Sequence, residues 1–133
     1  MKKPQDLREY LLKSIPDLVS NQDRLDIFVE NGKLRSTLSG GYSFEMAYTL
    51  DMTITDYAGD VDLVAFALFT WLATNQSELM ANIKNDKNEI IFEAELIDNT
   101  KYDLSIKIPL TERVISERTD NGQYNLRYPP EPQ

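Results

Sequence analysis

Three aspartates close together in the middle of the chain are the first candidates for chemistry. Asp56, Asp60 and Asp62 fall within one short segment, and carboxylate oxygens are the ligands that Mg²⁺ and Ca²⁺ prefer. The segment lacks the glycine and the closing glutamate of a calcium-binding loop. Asp60 stands where a helix cap belongs, and Asp62 falls in the first helical turn, where the helix dipole favours an acid. We therefore interpret these aspartates as structural and predict no metal site.

A second pair of carboxylates, Glu93 and Glu95, is spaced two residues apart and could serve as an acid and a base. Both alternate with Phe92, Ala94 and Leu96, and the solvated face of a strand explains that pattern without chemistry. The chain contains no histidine and no cysteine, so the commonest general base and the thiolate nucleophile are absent. We predict that the protein is not an enzyme and has no catalytic residues and no cofactor.

The overall charge of the chain is strongly negative. It contains 14 lysines and arginines and 22 aspartates and glutamates, which give a net charge of −8 and a pI near 4.5. Such a surface repels a phosphate backbone, and no basic stripe is present, so we predict no specific nucleic-acid binding. No apolar run approaches the roughly 20 residues that span a bilayer, and the absence of cysteine fits a reducing cytoplasm.

The first half of the chain predicts one helix followed by three strands. Apolar residues at helical spacing indicate a helix over residues 4–15, which Pro16 ends. Asn31-Gly32 is a strong signal for a two-residue hairpin turn, so residues 25–30 and 34–38 are predicted to pair. The longest period-two run, residues 44–54, then predicts a strand with one buried face.

A second helix, predicted over residues 61–74, is apolar around nearly its whole circumference. A helix of this kind must be covered on more than one side. The sheet supplies one cover, and either a neighbouring subunit or the first helix supplies the other. Trp71 with Phe66 and Phe69 could form an aromatic binding box, but their helical spacing favours core packing.

The second half of the chain predicts a short helical turn at residues 77–80 and two further hairpins. Strands are expected at residues 90–96 and 102–108, then at 112–118 and 123–128 around an Asp120-Asn121-Gly122 turn. Residues 129–133 are rich in proline and are predicted to form a flexible tail. This order of helices and strands predicts one α+β domain over residues 1–128. It consists of a mainly antiparallel sheet of about six to seven strands, with two helices packed on one face.

Eight segments taken together resemble the tail completion protein R family of temperate contractile-tailed phages. The segments are residues 3–8 (KPQDLR), 23–32 (DRLDIFVENG), 44–50 (FEMAYTL), 56–60 (DYAGD), 71–76 (WLATNQ), 92–96 (FEAEL), 103–106 (DLSI) and 110–115 (LTERVI). No single segment is specific, but their order is, and the resemblance extends over about residues 2–118. The residues after Ser116 match no family motif.

The resemblance implies a structural virion component, made in the bacterial cytoplasm, that completes the head-proximal end of a phage tail and enables head–tail joining. It implies a tail-terminator-like fold and, as partners, the tail tube and other tail or head completion proteins. By analogy with tail terminators we expect a homo-oligomer, arranged as a ring. The candidate subunit-interface residues lie on the apolar helix and the long strand, with one arginine: Phe66, Phe69, Trp71, Tyr48, Met52 and Arg113. The alternative is a small acidic phage-encoded adaptor that binds a host protein.

Overall fold

A computed structural model describes residues 1–37, 42–81 and 89–129. These residues form a short 3₁₀ turn at Gln22–Arg24, four helices and five strands. The helices are α1 (Lys3–Ser14), α2 (Pro16–Val19), α3 (Val61–Asn75) and α4 (Ser77–Ala81), and the strands are β1 (Leu25–Ser36), β2 (Phe44–Tyr57), β3 (Ile91–Asp98), β4 (Lys101–Arg118) and β5 (Tyr124–Arg127).

All strand pairs among the described residues are antiparallel. The main sheet has the order β1-β2-β4-β3, and β5 pairs with the last residues of β4. Because side chains alternate along a strand, the even-numbered residues of β2 and β4 share one face. That face is buried: Leu50 lies opposite Ile108, and Met52 lies opposite Ile106. The fold is therefore α+β with a mainly antiparallel sheet.

The core joins α1 and α3 to this buried face. Leu7 and Leu11 of α1 and Leu68 and Leu72 of α3 belong to the same cluster of buried residues as the inward side chains of the sheet. Two polar contacts also link the helices. The indole Nε1 of Trp71 donates to Asp6 Oδ2 at 3.0 Å, and the hydroxyls of Tyr10 and Thr70 lie 2.6 Å apart. The first helix therefore covers one side of the apolar helix α3.

Several sequence predictions about the helices are confirmed. The first helix ends just before Pro16, and the apolar helix occupies Val61–Asn75. Its cap is Asp60, whose Oδ1 accepts from the backbone N–H of Asp62 at 2.9 Å. In the described parts of the chain, no helix is both long and apolar enough to span a membrane.

The predicted hairpin at Asn31-Gly32 is wrong. Strand β1 continues through these two residues, which together oppose one residue of β2 between the pairs Glu30↔Thr49 and Lys33↔Ala47. Asn31 adopts a positive φ of 55°, so the left-handed conformation that Asn-Gly favours forms a β-bulge here and no turn. The chain between β1 and β2 is residues 37–43, of which 38–41 lie outside the described residues.

A second correction concerns the strand count, because the described residues contain five strands and not six or seven. Residues 112–118 do not form a separate strand, since β4 runs without interruption from Lys101 to Arg118. The two later hairpins are confirmed as β3–β4 and β4–β5. The boundary at residue 128 stays a prediction, because residues 130–133 of the proline-rich tail lie outside the described part.

Candidate assembly surfaces

The carboxylates considered for chemistry either stabilise the start of α3 or lie exposed on the sheet. Asp60 caps α3, and Asp62 lies in the first turn of that helix. Glu93 and Glu95 are exposed on the outward face of β3. Across residues 1–37, 42–81 and 89–129, no three acidic side chains come close enough to hold a metal ion.

The two clearest pKa shifts are those of Tyr57 and Asp98, and both side chains lie at turns. Burial raises the pKa of the Tyr57 phenol, with Asp17 and Asp60 adding to the effect, and its hydroxyl donates to the backbone carbonyl of Asp60 at 2.8 Å. Hydrogen bonds from Thr100 lower the pKa of the Asp98 carboxyl at the β3–β4 turn. Both groups hold loop backbone in place.

A buried polar network lies at the start of α1, and its residues are not among the candidates predicted from the sequence. Glu112 is only 2% exposed. Its Oε1 accepts from the backbone N–H groups of Lys2 at 2.7 Å and Lys3 at 3.2 Å, while its Oε2 accepts from the Tyr48 hydroxyl at 2.6 Å. The Lys3 ammonium donates to the carbonyl of Thr111 at 2.6 Å. A signal was present, because Glu112 falls on the inward side of the β4 alternation, among apolar residues.

The six predicted interface residues divide into a buried and an exposed group. Trp71, Tyr48 and Met52 are buried in the core of this chain itself. Phe66 is 67% exposed and Phe69 is 44% exposed on α3, and Arg113 is exposed on the outward face of β4. The structure therefore brings Phe66 and Phe69 together on one surface, and a subunit-interface role stays a prediction for these two residues and Arg113.

An apolar groove of about 400 Å³ separates α3 from the edge of the sheet. It is lined mainly by Val61, Ala65, Phe69, Ile90 and Phe92, with the acid Asp62 at the helix start. Every residue of β3, the strand beside the groove, is exposed, including Phe92 and Leu96, which alternation would otherwise assign to the core. The surface from α3 to β3 therefore combines exposed aromatic and aliphatic side chains.

The opposite edge of the sheet is exposed as well. In β1 all residues after the bulge, from Lys33 to Ser36, are exposed on both faces. Among them Leu34 has the highest exposure of any large apolar side chain in the described residues, 77%. Both ends of the main sheet thus present exposed strand residues in the described part of the chain.

Comparison with known proteins agrees with the resemblance found in the sequence. The profile of the family described as P2 phage tail completion protein R (GpR) matches residues 1–132. The chain is 37% identical over 135 residues to the tail completion protein R of Escherichia phage P2, and the match covers all of this chain and 87% of that protein. No solved structure matches significantly. A match of this extent to the family profile and to a curated relative shows that the chain belongs to the phage tail completion protein R family.

Proposed function

We propose that this chain is a structural virion component that completes the head-proximal end of a contractile phage tail and enables head–tail joining. The observation that carries the proposal is the family match over residues 1–132, supported by 37% identity along the whole chain to a protein named for tail completion. The proposal assigns no catalysis to the chain. It places the protein in the virion, after assembly in the cytoplasm of the host bacterium.

The proposed partners are the tail tube, other tail or head completion proteins, and further copies of this chain. A ring of subunits, by analogy with tail terminators, would stack on the last ring of the tube. The exposed Phe66 and Phe69 beside the groove support an interaction surface on α3, because contiguous exposed apolar side chains commonly mark protein–protein contacts. The net charge of −8 suits a ring around a channel that DNA must pass without adhering.

The proposal is tested by negative-stain electron microscopy of induced lysates from a strain that lacks this gene and from the complemented strain. We expect the deletion to give filled heads without attached tails, alongside abnormal or unfinished tails, and complementation to restore joined virions. Normal virions from the deletion strain would overturn the proposal.

Complementation with surface variants tests the α3 surface in the same assay. Phe66→Ser together with Phe69→Ser removes the two exposed rings, and we expect it to reduce joined virions without lowering the melting temperature. The matched control is Ala73→Ser, an exposed position of the same helix, which should complement fully. Full complementation by the double variant would remove Phe66 and Phe69 from the proposal.

The comparisons give no support to the adaptor alternative. Purification of the tagged protein from an induced lysate separates the two functions, because a tail component retains tail proteins and an adaptor retains a host protein. Recovery of one host protein in stoichiometric amount, without tail proteins, would favour the adaptor.

A further inference from the structure

The main sheet has two free edges, and they differ from each other. The path β1-β2-β4-β3 places β1 at one end and β3 at the other. The last four residues of β1 and all residues of β3 are exposed on both faces. Because the path contains four antiparallel strands, β1 and β3 run in opposite directions. A β3 edge placed beside the β1 edge of a second copy would therefore continue the antiparallel order of the sheet.

The backbone groups on the two free edges are compatible with such pairing. The N–H of Thr37 donates to the carbonyl of Ser43 at 3.1 Å, so the odd-numbered residues of this part of β1 bond to β2. In an antiparallel ladder the residues between them point their N–H and C=O groups to the other side. Leu34 and Ser36 therefore present free groups, and the same alternation carried across β2 and β4 gives Phe92, Ala94 and Leu96 free groups on β3.

The charges on the last residues of β1 and on the middle of β3 are opposite. On the outward face, β3 carries Glu93 and Glu95, while β1 carries Lys33 and Arg35. On the inward face, both edges present exposed apolar side chains, with Leu34 at 77% and Phe92 at 63%. These parts of the two edges therefore carry opposite charges on the outward face and exposed apolar side chains on the inward face.

We propose that the β3 edge of one copy pairs with the β1 edge of a second copy, forming an antiparallel joint between subunits. In the register that satisfies both charges, Glu93 lies opposite Arg35 and Glu95 lies opposite Lys33. The same register places Leu34 opposite Ala94. Its side chain then lies between Phe92 and Leu96 of the neighbour, which covers the most exposed apolar side chains of both edges.

Charged residues on edge strands more often prevent pairing, which is the opposing interpretation. A protective role requires that a second copy be repelled. Within the proposed register the acids lie on β3 and the bases on the last residues of β1, so a second copy is attracted in a head-to-tail orientation. A head-to-tail contact is heterologous, and it generates a ring when the rotation closes. The inference deepens the proposed function by assigning surfaces to the ring, and it rests on that proposal only for closure.

Disulfide cross-linking tests the joint directly, because the natural chain has no cysteine. Leu34 and Ala94 form a hydrogen-bonded pair in the proposed register, with their Cα atoms about 5.5 Å apart, which is within disulfide range. We expect the Leu34→Cys, Ala94→Cys variant to form a ladder of dimers and larger species on oxidation, both as concentrated purified protein and in isolated tails. A mixture of the two single variants should stop at dimers.

The control is Phe28→Cys with Ala94→Cys, which combines the same two edges at positions far apart in this register and should give no ladder. Circular dichroism checks that each variant is folded. Absence of the Leu34–Ala94 ladder from both folded protein and tails would overturn the joint. Cross-linking by Leu34→Cys alone would also overturn it, because that result indicates a symmetric contact between two β1 edges.

Charge reversal provides a second test that needs no cysteine. Glu93→Arg with Glu95→Lys makes both edges basic, and Lys33→Glu with Arg35→Glu makes both acidic. We expect each variant to associate at least about tenfold more weakly in sedimentation, since cross-strand ion pairs become repulsive. An equimolar mixture should recover assembly, because every joint is then between opposite charges. Failure of the mixture to recover, with both variants folded, would contradict the inference.

The outcome is separable from that of the proposed function. If variants without the joint still complement the deletion strain, the tail-completion role stands and the strand pairing is wrong. If the deletion strain makes normal virions but the cross-linked ladder forms, the pairing stands and the function is wrong.

Discussion

The carboxylate of Glu112 caps the helix that begins at Lys3. Helix α1 has no cap from its own N-cap side chain, and its first amides instead donate to Glu112 on β4. A carboxylate at a helix N-terminus also interacts favourably with the helix dipole. One buried side chain therefore fixes the orientation of α1 on the end of the sheet.

We expect Glu112→Ala to lower the free energy of unfolding by about 3 kcal/mol, because it leaves two backbone amides and the Tyr48 hydroxyl without the carboxylate. Chemical denaturation measures the change. The matched control is Glu117→Ala on the same strand, whose carboxylate pairs with Arg127 at an exposed position; it should change stability by less than about 1 kcal/mol. Equal effects of the two variants would contradict the capping role.

The single tryptophan reports the contact between α1 and α3. Asp6→Ala removes the acceptor of the Trp71 indole N–H, and we expect a shifted fluorescence emission with a loss of about 1 kcal/mol. Glu9→Ala, an exposed position of the same helix, should leave the emission unchanged. An emission spectrum insensitive to Asp6→Ala would show that the indole bond is not made in solution.

Substitutions at Asn31 and Gly32 distinguish a β-bulge from a hairpin turn at this position. Asn31 has a positive φ, so Asn31→Val should destabilise the fold by about 1–2 kcal/mol, because branched side chains are strained in that region. Gly32→Ala should have little effect, since a Cβ at Gly32 meets open space. Thermal unfolding of both variants tests this, and a large loss from Gly32→Ala alone would favour a turn.

Alkaline pH should destabilise the protein through Tyr57. Burial raises its pKa above the ordinary tyrosine value of about 10, so folding favours the protonated phenol. The associated stability is fully present below about pH 10 and is lost as the pH rises through the folded pKa. In Tyr57→Phe this dependence should be reduced, whereas Tyr124→Phe, at an exposed position, should retain it. Denaturant midpoints between pH 8 and 11 measure the effect.

Much of the fold could be predicted because the relevant signals are local. Pro16 ends the first helix through its own ring, and Asp60 caps the second through its own side chain. Period-two alternation likewise identified the long strand β2. Each of these features depends on residues close together in sequence, so the pattern contains the information.

The sequence is less informative where distant residues decide the outcome. Whether Asn31-Gly32 forms a turn or a bulge depends on the pairing of β1 with β2, which the dipeptide does not encode. Trp71, Tyr48 and Met52 are apolar or aromatic residues that could fill either a core or an interface. They lie in the core because α1 and the sheet cover them. The exposed edges of β1 and β3 became visible only with the strand order.

The bond between Lys3 and Glu112 also affects how the protein is made. Its partners are separated by 109 residues, so α1 leaves the ribosome long before the residue that caps it. At about 5–20 residues per second, synthesis of the intervening chain takes roughly 5–20 s. During that interval the apolar face of α1 has no finished sheet to cover it. A nascent chain therefore completes its core only near the end of translation, and prematurely terminated products lack the capped helix.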